Sequence, residues 1–208
     1  VRAVALSLLL AVGCHPALKA NVGAIDDARI QVFSQRPPEV TLGRLYTDVG
    51  LVNTAVNMMQ GFQEVQAEQR IQRAVNPSAL GVSLEKGIAD QLGAGPPFAY
   101  STSPNADATI QLEVVRYGLD VPQIGARGLL RYDLRVRGYL EDGERFWTTH
   151  VRCANLAGSP NEVSMAFGMV NNAGQLERMT DDELQRAFET VAQWCGTELV
   201  RKLRRQAG

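Results

Sequence analysis

The chain has little of what most catalytic or metal-binding proteins use. Its 208 residues include only two His and three Cys, and no His/Cys/Asp/Glu grouping has metal-ligand spacing. Phosphate-cradling loops of the G-x-x-x-x-G-K-[ST] type are absent, as are G-x-G-x-x-G and G-x-S-x-G. The reading is therefore of a protein with no cofactor, no metal and no enzymatic activity. Lysine is scarce: Lys19, Lys86 and Lys202 stand against 18 Arg. A formal net charge of −1 excludes a protein that holds nucleic acid by bulk charge. No apolar run approaches the roughly 20 residues that span a bilayer. No internal repeat, heptad seam or low-complexity tract breaks the chain. What remains, 45% hydrophobic and 21% charged residues, is ordinary for a globular protein of one domain.

The first residues are informative. Val1-Arg2-Ala3 leads into an apolar run from Val4 to Val12, then Gly13-Cys14. One positive residue, a short apolar stretch and small residues before a break fit a secretory signal peptide. Val1 in place of Met reads as a GTG start. Leu10-Ala11-Val12-Gly13-Cys14 resembles the lipobox of bacterial lipoproteins, although Ala11 stands where that family prefers Leu. The resemblance implies removal of residues 1–13 and acylation of Cys14; two or three acyl chains anchor a protein stably. His15 after the Cys, rather than Asp, implies sorting to the outer membrane. An ordinary signal peptide, or a short buried helix with an incidental Cys, is the alternative. The expected organisation is a signal peptide over 1–13, a lipidated tether over 14–27 and a single α+β domain over 28–208.

Export makes Cys153 and Cys195 an even pair in an oxidising compartment. From Leu130 to Leu140 the sequence alternates, with Leu130, Tyr132, Leu134, Val136 and Gly138 on one face. Arg131, Asp133, Arg135, Arg137 and Tyr139 take the other, as in a half-buried strand. Asp142-Gly143 reads as a two-residue hairpin turn. That turn pairs Tyr132 with Cys153, Leu134 with Val151, Val136 with Thr149 and Gly138 with Trp147. On the outer face it pairs Asp133 with Arg152, Arg135 with His150 and Tyr139 with Phe146. Cys153 then faces the core, with Trp147 over Gly138.

Downstream, Thr180-Asp181-Asp182-Glu183 is a capping-box pattern. Leu184, Phe188, Val191, Cys195 and Leu199 share one helical face. The spacing predicts a C-terminal helix lying on the hairpin and stapled to it by Cys153–Cys195; two free buried thiols that merely pack are the alternative. The outer hairpin face groups Arg131, Arg135, Arg137 and Arg152, which could receive an anion or a partner, or simply be solvated.

Elsewhere, Arg29 to Phe33 reads as a strand stopped by Arg36-Pro37-Pro38. Tyr46 to Val75 reads as largely helical, weakened by Gly50 and Gly61. Its Met58, Met59 and Phe62 either touch lipid or a partner, or belong to the core. Asn76-Pro77 restarts a helix carrying Leu80, Leu84, Ile88 and Leu92. Phe98 to Thr102 and Thr109 to Leu119 read as strands. Asn155 to Met179 reads equally as an apolar loop or a short helix. The order predicts an α+β fold, an antiparallel sheet with helices on one face and the C-terminal helix stapled to it.

The segments ADATIQLEVVRYGLD and GLLRYDLRVRGYLEDGERFW resemble those of small envelope lipoproteins: the lipopolysaccharide-assembly lipoprotein and the auxiliary lipoproteins of ABC-type lipid transporters. The resemblance spans roughly residues 76 to 153. It implies a non-catalytic periplasmic accessory protein that binds an envelope transport or assembly partner, or an envelope lipid. It carries over no individual binding residue. An outward-facing structural or adhesive lipoprotein is a second reading. A secreted hydrolase using His150 and a nearby hydroxyl is a third.

Overall fold

The computed structural model describes residues 15–35, 37–42, 50–93, 95–121, 129–154 and 178–208. In chain order they form α1 (His15–Val22), β1 (Asp27–Gln35), β2 (Glu39–Leu42), α2 (Gly50–Ala74) and α3 (Pro77–Leu92). Then come β3 (Ala99–Ser101), β4 (Ala108–Val121), β5 (Leu129–Leu140), β6 (Arg145–Ala154) and α4 (Asp181–Ala207). The fold is α+β. The sheet runs β3-β1-β4-β5-β6, with β2 also on β4.

The sheet is mixed. β4, β5 and β6 are antiparallel as the alternation implies, but β1 and β2 join β4 in parallel and β3 joins β1 in parallel. Parallel neighbours need a long crossover rather than a turn, and no short-range residue signal marks such a pairing. β1 and β2 occupy successive stretches of the same edge of β4, divided by the Pro37-Pro38 break.

The hairpin register is the expected one from Gly138 inward, including Tyr132–Cys153 and Arg135–His150. Its tip differs. Leu140 and Glu144 close a three-residue loop, Glu141-Asp142-Gly143, with Gly143 at φ 86°. Tyr139 therefore pairs with Arg145, and a bulge at Phe146 restores the register. The bulge turns Phe146 inward, where it is buried. Its ring, rather than Trp147, fills the space over Gly138, where a Cβ would lie 2.7 Å from Phe146 Cζ.

Each helix forms where its caps and periodicity dictate. Asn76 caps α3 by accepting from the Ser78 N–H at 2.9 Å, with Pro77 in the first turn. Leu80, Leu84, Ile88 and Leu92 are all buried. In α4, Thr180 and Glu183 complete the capping box, with Thr180 N–H donating to Glu183 Oε2 at 2.8 Å. α2 is continuous through Gly61. Its C-terminal part buries Ala67 and Ile71, and Val75 just beyond its end is buried too, whereas Phe62 is 75% exposed and so is not core. The side chains of Met58 and Met59, and the segment 155–177 with its open choice between loop and helix, lie outside the described residues.

α1, α2 and α3 all touch α4, and α4 lies on β5 and β6, so the helices gather on one sheet face. The buried stripe of α4 is wider than the sheet alone demands: α3 packs beside it over Gly196, and Ala187, Ala192 and Trp194 are buried as well. The two helices meet at glycines. A Cβ on Gly87 would sit 2.0 Å from the Gln193 carbonyl oxygen, and one on Gly196 would sit 2.4 Å from that of Leu84. Cys153 and Cys195 are joined, with Cα atoms 5.6 Å apart, and both are fully buried. The staple ties the last described strand to the last helix.

Two outcomes follow for unfolding measurements. Gly196→Ala should destabilise the protein by about 2 kcal/mol or more, because a backbone carbonyl rather than a flexible side chain must give way. Gly23→Ala, with open space around its Cβ, should stay within about 0.5 kcal/mol. Replacing both Cys153 and Cys195 by Ala should remove about 4 kcal/mol, the chain-entropy value for the 42-residue separation. The same loss should appear on reducing the natural protein in urea.

Candidate functional site

Two regions could engage something outside the chain: the sheet face away from the helices, and the end of the molecule where α1 meets α4. The outer face is built by the alternation that buries Leu112, Leu134 and Val136. It presents Gln31 and Phe33 from β1; Gln111, Glu113, Arg116 and Asp120 from β4; Arg131, Asp133, Arg135 and Arg137 from β5; and His150 and Arg152 from β6. The register brings them into cross-strand rows, Phe33–Glu113–Arg135–His150 and Gln31–Gln111–Arg137–Thr148 among them.

Three of the four arginines singled out from sequence are engaged by carboxylates in these rows. Arg131 donates to Asp120 at 2.7 Å and to Asp133 at 2.8 Å. Burial alone would lower the Arg131 pKa, but these two carboxylates raise it on balance. Glu113 receives Arg135 at 3.0 Å and Arg137 at 3.5 Å. Arg116 extends the lattice to Glu39 at 2.8 Å and to Asp120 at 3.5 Å. Arg152 is exposed and makes no ion pair among the described residues. The face is thus a charge lattice in which Arg116, Arg131, Arg135 and Arg137 already have carboxylate partners. Glu113 and Asp120 were not legible as partners, because β4–β5 pairing is set by the fold and not by a local turn.

Phe33 is 45% exposed. With Gln111, Glu113 and Arg137 it lines a shallow depression of about 330 Å³. His150 is exposed, and its Nε2 accepts from Arg135 Nε at 3.4 Å. A base in a hydrolase is normally oriented by a carboxylate; here the ring's neighbour is a guanidinium. Among the described residues no group of three or more His, Cys, Asp or Glu is placed to hold a metal ion. No helix among them is long and apolar enough to cross a membrane.

Cys14 lies outside the described residues, but the residues after it do not form a free tether. α1 begins at His15 and rests on α4 and β6. Leu18 is fully buried, Ile25 nearly so, and Lys19 Nζ donates to the Gly208 carbonyl at 2.9 Å. The sequence hides this, since a single fully buried Leu in an eight-residue helix leaves no periodicity to read.

No protein-family model matches this chain, and no curated protein sequence matches it. Among solved structures it is similar to a DUF330 protein from Xanthomonas campestris, at 12% identity over 85% of this chain and 81% of that one, with a TM-score of 0.39. It is also similar to a hypothetical protein from Chlamydia trachomatis, at 10% identity over 88% and 98% of the two chains, TM-score 0.34. Lipoprotein GNA1162 from Neisseria meningitidis is 15% identical over 69% of this chain and 91% of that one, TM-score 0.25. These are loose likenesses of shape.

The lattice predicts unequal costs on its two sides. Glu113→Gln strands two guanidiniums and should cost about 1 kcal/mol in urea unfolding. Arg152→Gln should stay within about 0.5 kcal/mol.

Proposed function

We propose that this chain is a lipid-anchored accessory protein of the bacterial envelope. Acyl chains on Cys14 hold it on the periplasmic side of the outer membrane. It binds a transport or assembly partner, or an envelope lipid, and catalyses no reaction. The observation that carries the reading is the docking of α1, which places an ordered body directly after the lipobox cysteine. A lipidated Cys14 would thereby bring the body against a bilayer.

The geometry at His150 supports binding over hydrolysis: the ring is exposed and faces Arg135. The outer face supports it as well. A polar surface in which most charges are already paired suits recognition of a complementary protein surface better than capture of a single small anion.

The intact mass of protein taken from its native membrane tests the anchor. It should lack residues 1–13, carry acyl chains on Cys14, and be two hydrogens lighter before reduction than after. An unacylated mass overturns the reading. Protease added to intact cells should leave the protein whole; its degradation would place it on the cell surface instead.

A further inference from the structure

Charge on the outer sheet face changes along the strands. At the hairpin end, the row Arg29–Thr109–Tyr139–Arg145 borders Asp27, Asp107, Glu141, Asp142 and Glu144. At the other end, Arg116 and Arg131 meet Glu39, Asp120 and Asp133. Carboxylates outnumber guanidiniums at both ends. Between them the balance reverses. The pairs Arg137–Thr148, Arg135–His150 and Asp133–Arg152 lie on consecutive rows of β5 and β6 and bring three guanidiniums together. Asp133 already answers Arg131. Glu113 is then the carboxylate that remains for this band among the described residues.

Glu113 is thinly spread. Its Oε2 receives Arg135 at 3.0 Å and Arg137 at 3.5 Å, while Arg135 Nε turns to His150. A guanidinium carries five N–H donors, so one shared oxygen leaves both arginines able to take a second carboxylate. They are also the more open pair: their side chains are 34% and 35% exposed, against 21% for Arg131 and 20% for Arg116.

An apolar group stands beside them. Phe33 shares its row with Glu113 and Arg135 and lines the depression together with Gln111, Glu113 and Arg137. At about 4.8 Å per strand, Phe33 is one step from Glu113 and roughly 10 Å from Arg135 across the sheet. Alternate side chains of an extended segment stand about 7 Å apart on one face. One such segment spans from the phenyl ring to the guanidiniums. Aromatic and arginine side chains grouped in this way are the usual energetic centres of protein interfaces.

We infer that this band receives an acidic segment of a partner protein. An apolar side chain of that segment seats against Phe33, and its carboxylate bonds Arg135 and Arg137 in the role that Glu113 fills in the free chain. The inference deepens the accessory-protein reading and rests on the partner being a protein. The acidic ends of the face confine the contact to the middle rows, because like charges there repel the same segment.

Photo-crosslinking in living cells tests this, with benzoylphenylalanine placed at Thr148, beside Arg137 on the outer face, or at Val82, exposed on α3 in the helical layer. Thr148 should yield a protein adduct that Val82 does not, and mass spectrometry should map it to a segment with an acidic residue next to an apolar one. Arg135→Gln/Arg137→Gln should lower the yield at least about threefold, and Phe33→Ala should lower it too. Glu113→Gln, which removes the internal competitor, should raise the yield about threefold although it weakens the fold, a direction that no folding defect produces. No protein adduct at Thr148, a lipid or glycan adduct there, or a yield that Glu113→Gln leaves unchanged or lowers overturns the inference. A protein adduct at Val82 alone keeps the partner reading and removes this face from it; the anchor is read separately by the intact mass.

Discussion

The position of α4 is the constraint on which the rest of the structure depends. Every other described helix touches it, and it lies on β5 and β6. It holds its place through contacts that do not tolerate drift. Gly87 and Gly196 let the α3 and α4 backbones approach until a methyl group would not fit. Trp147 Nε1 donates to Gln206 at 3.0 Å near the far end of the helix, and the disulfide fixes its middle. Because the two helices share so thin a contact, both can set apolar faces against one sheet. Leu84 and Ile88 from one helix, and Phe188 and Val191 from the other, join a single core. Tyr117 presents its edge or face to Phe188 at 90°, a packing that suits aromatic quadrupoles.

The opposite sheet face is organised by a different rule. Its side chains are too polar to be covered cheaply, and they satisfy one another across strands. Arginine suits this role because its planar guanidinium can bridge two carboxylates, as Arg131 does between Asp120 and Asp133. The two faces divide the work. One holds the body together and the other presents a patterned, largely neutralised surface. Charge on this face is compensated largely pair by pair, so the small net charge of the whole chain says little about how densely its surface is charged.

The parts legible in sequence were those set by neighbours. Alternation in Leu130 to Leu140 revealed the hairpin faces, and hence that Cys153 points inward. Thr180 and Glu183 marked the start of α4, and its apolar stripe placed Cys195. The hairpin tip was less legible, because a three-residue loop with a bulge at Phe146 gives almost the same register as a two-residue turn. What the pattern could not show was decided at long range. The parallel pairing of β1 and β2 with β4, the carboxylate partners of Arg131 and Arg135, and the docking of α1 all depend on residues far apart in sequence. The exposure of Phe62 was hidden for a related reason: α2 carries apolar residues around its circumference, and only tertiary packing selects the face marked by Ala67 and Ile71. For the candidate site, sequence named the arginines but not what neutralises them.

The disulfide has a consequence for how this protein can change over time. It pins the end of β6 and the middle of α4, so the chain between the two cysteines is a closed loop with fixed ends. Lengthening such a loop costs only the logarithm of its size, about 0.6 kcal/mol for a doubling. The bond itself therefore sets only a weak limit on chain length between the two cysteines: an insertion there adds little to the entropy that closing the loop already costs.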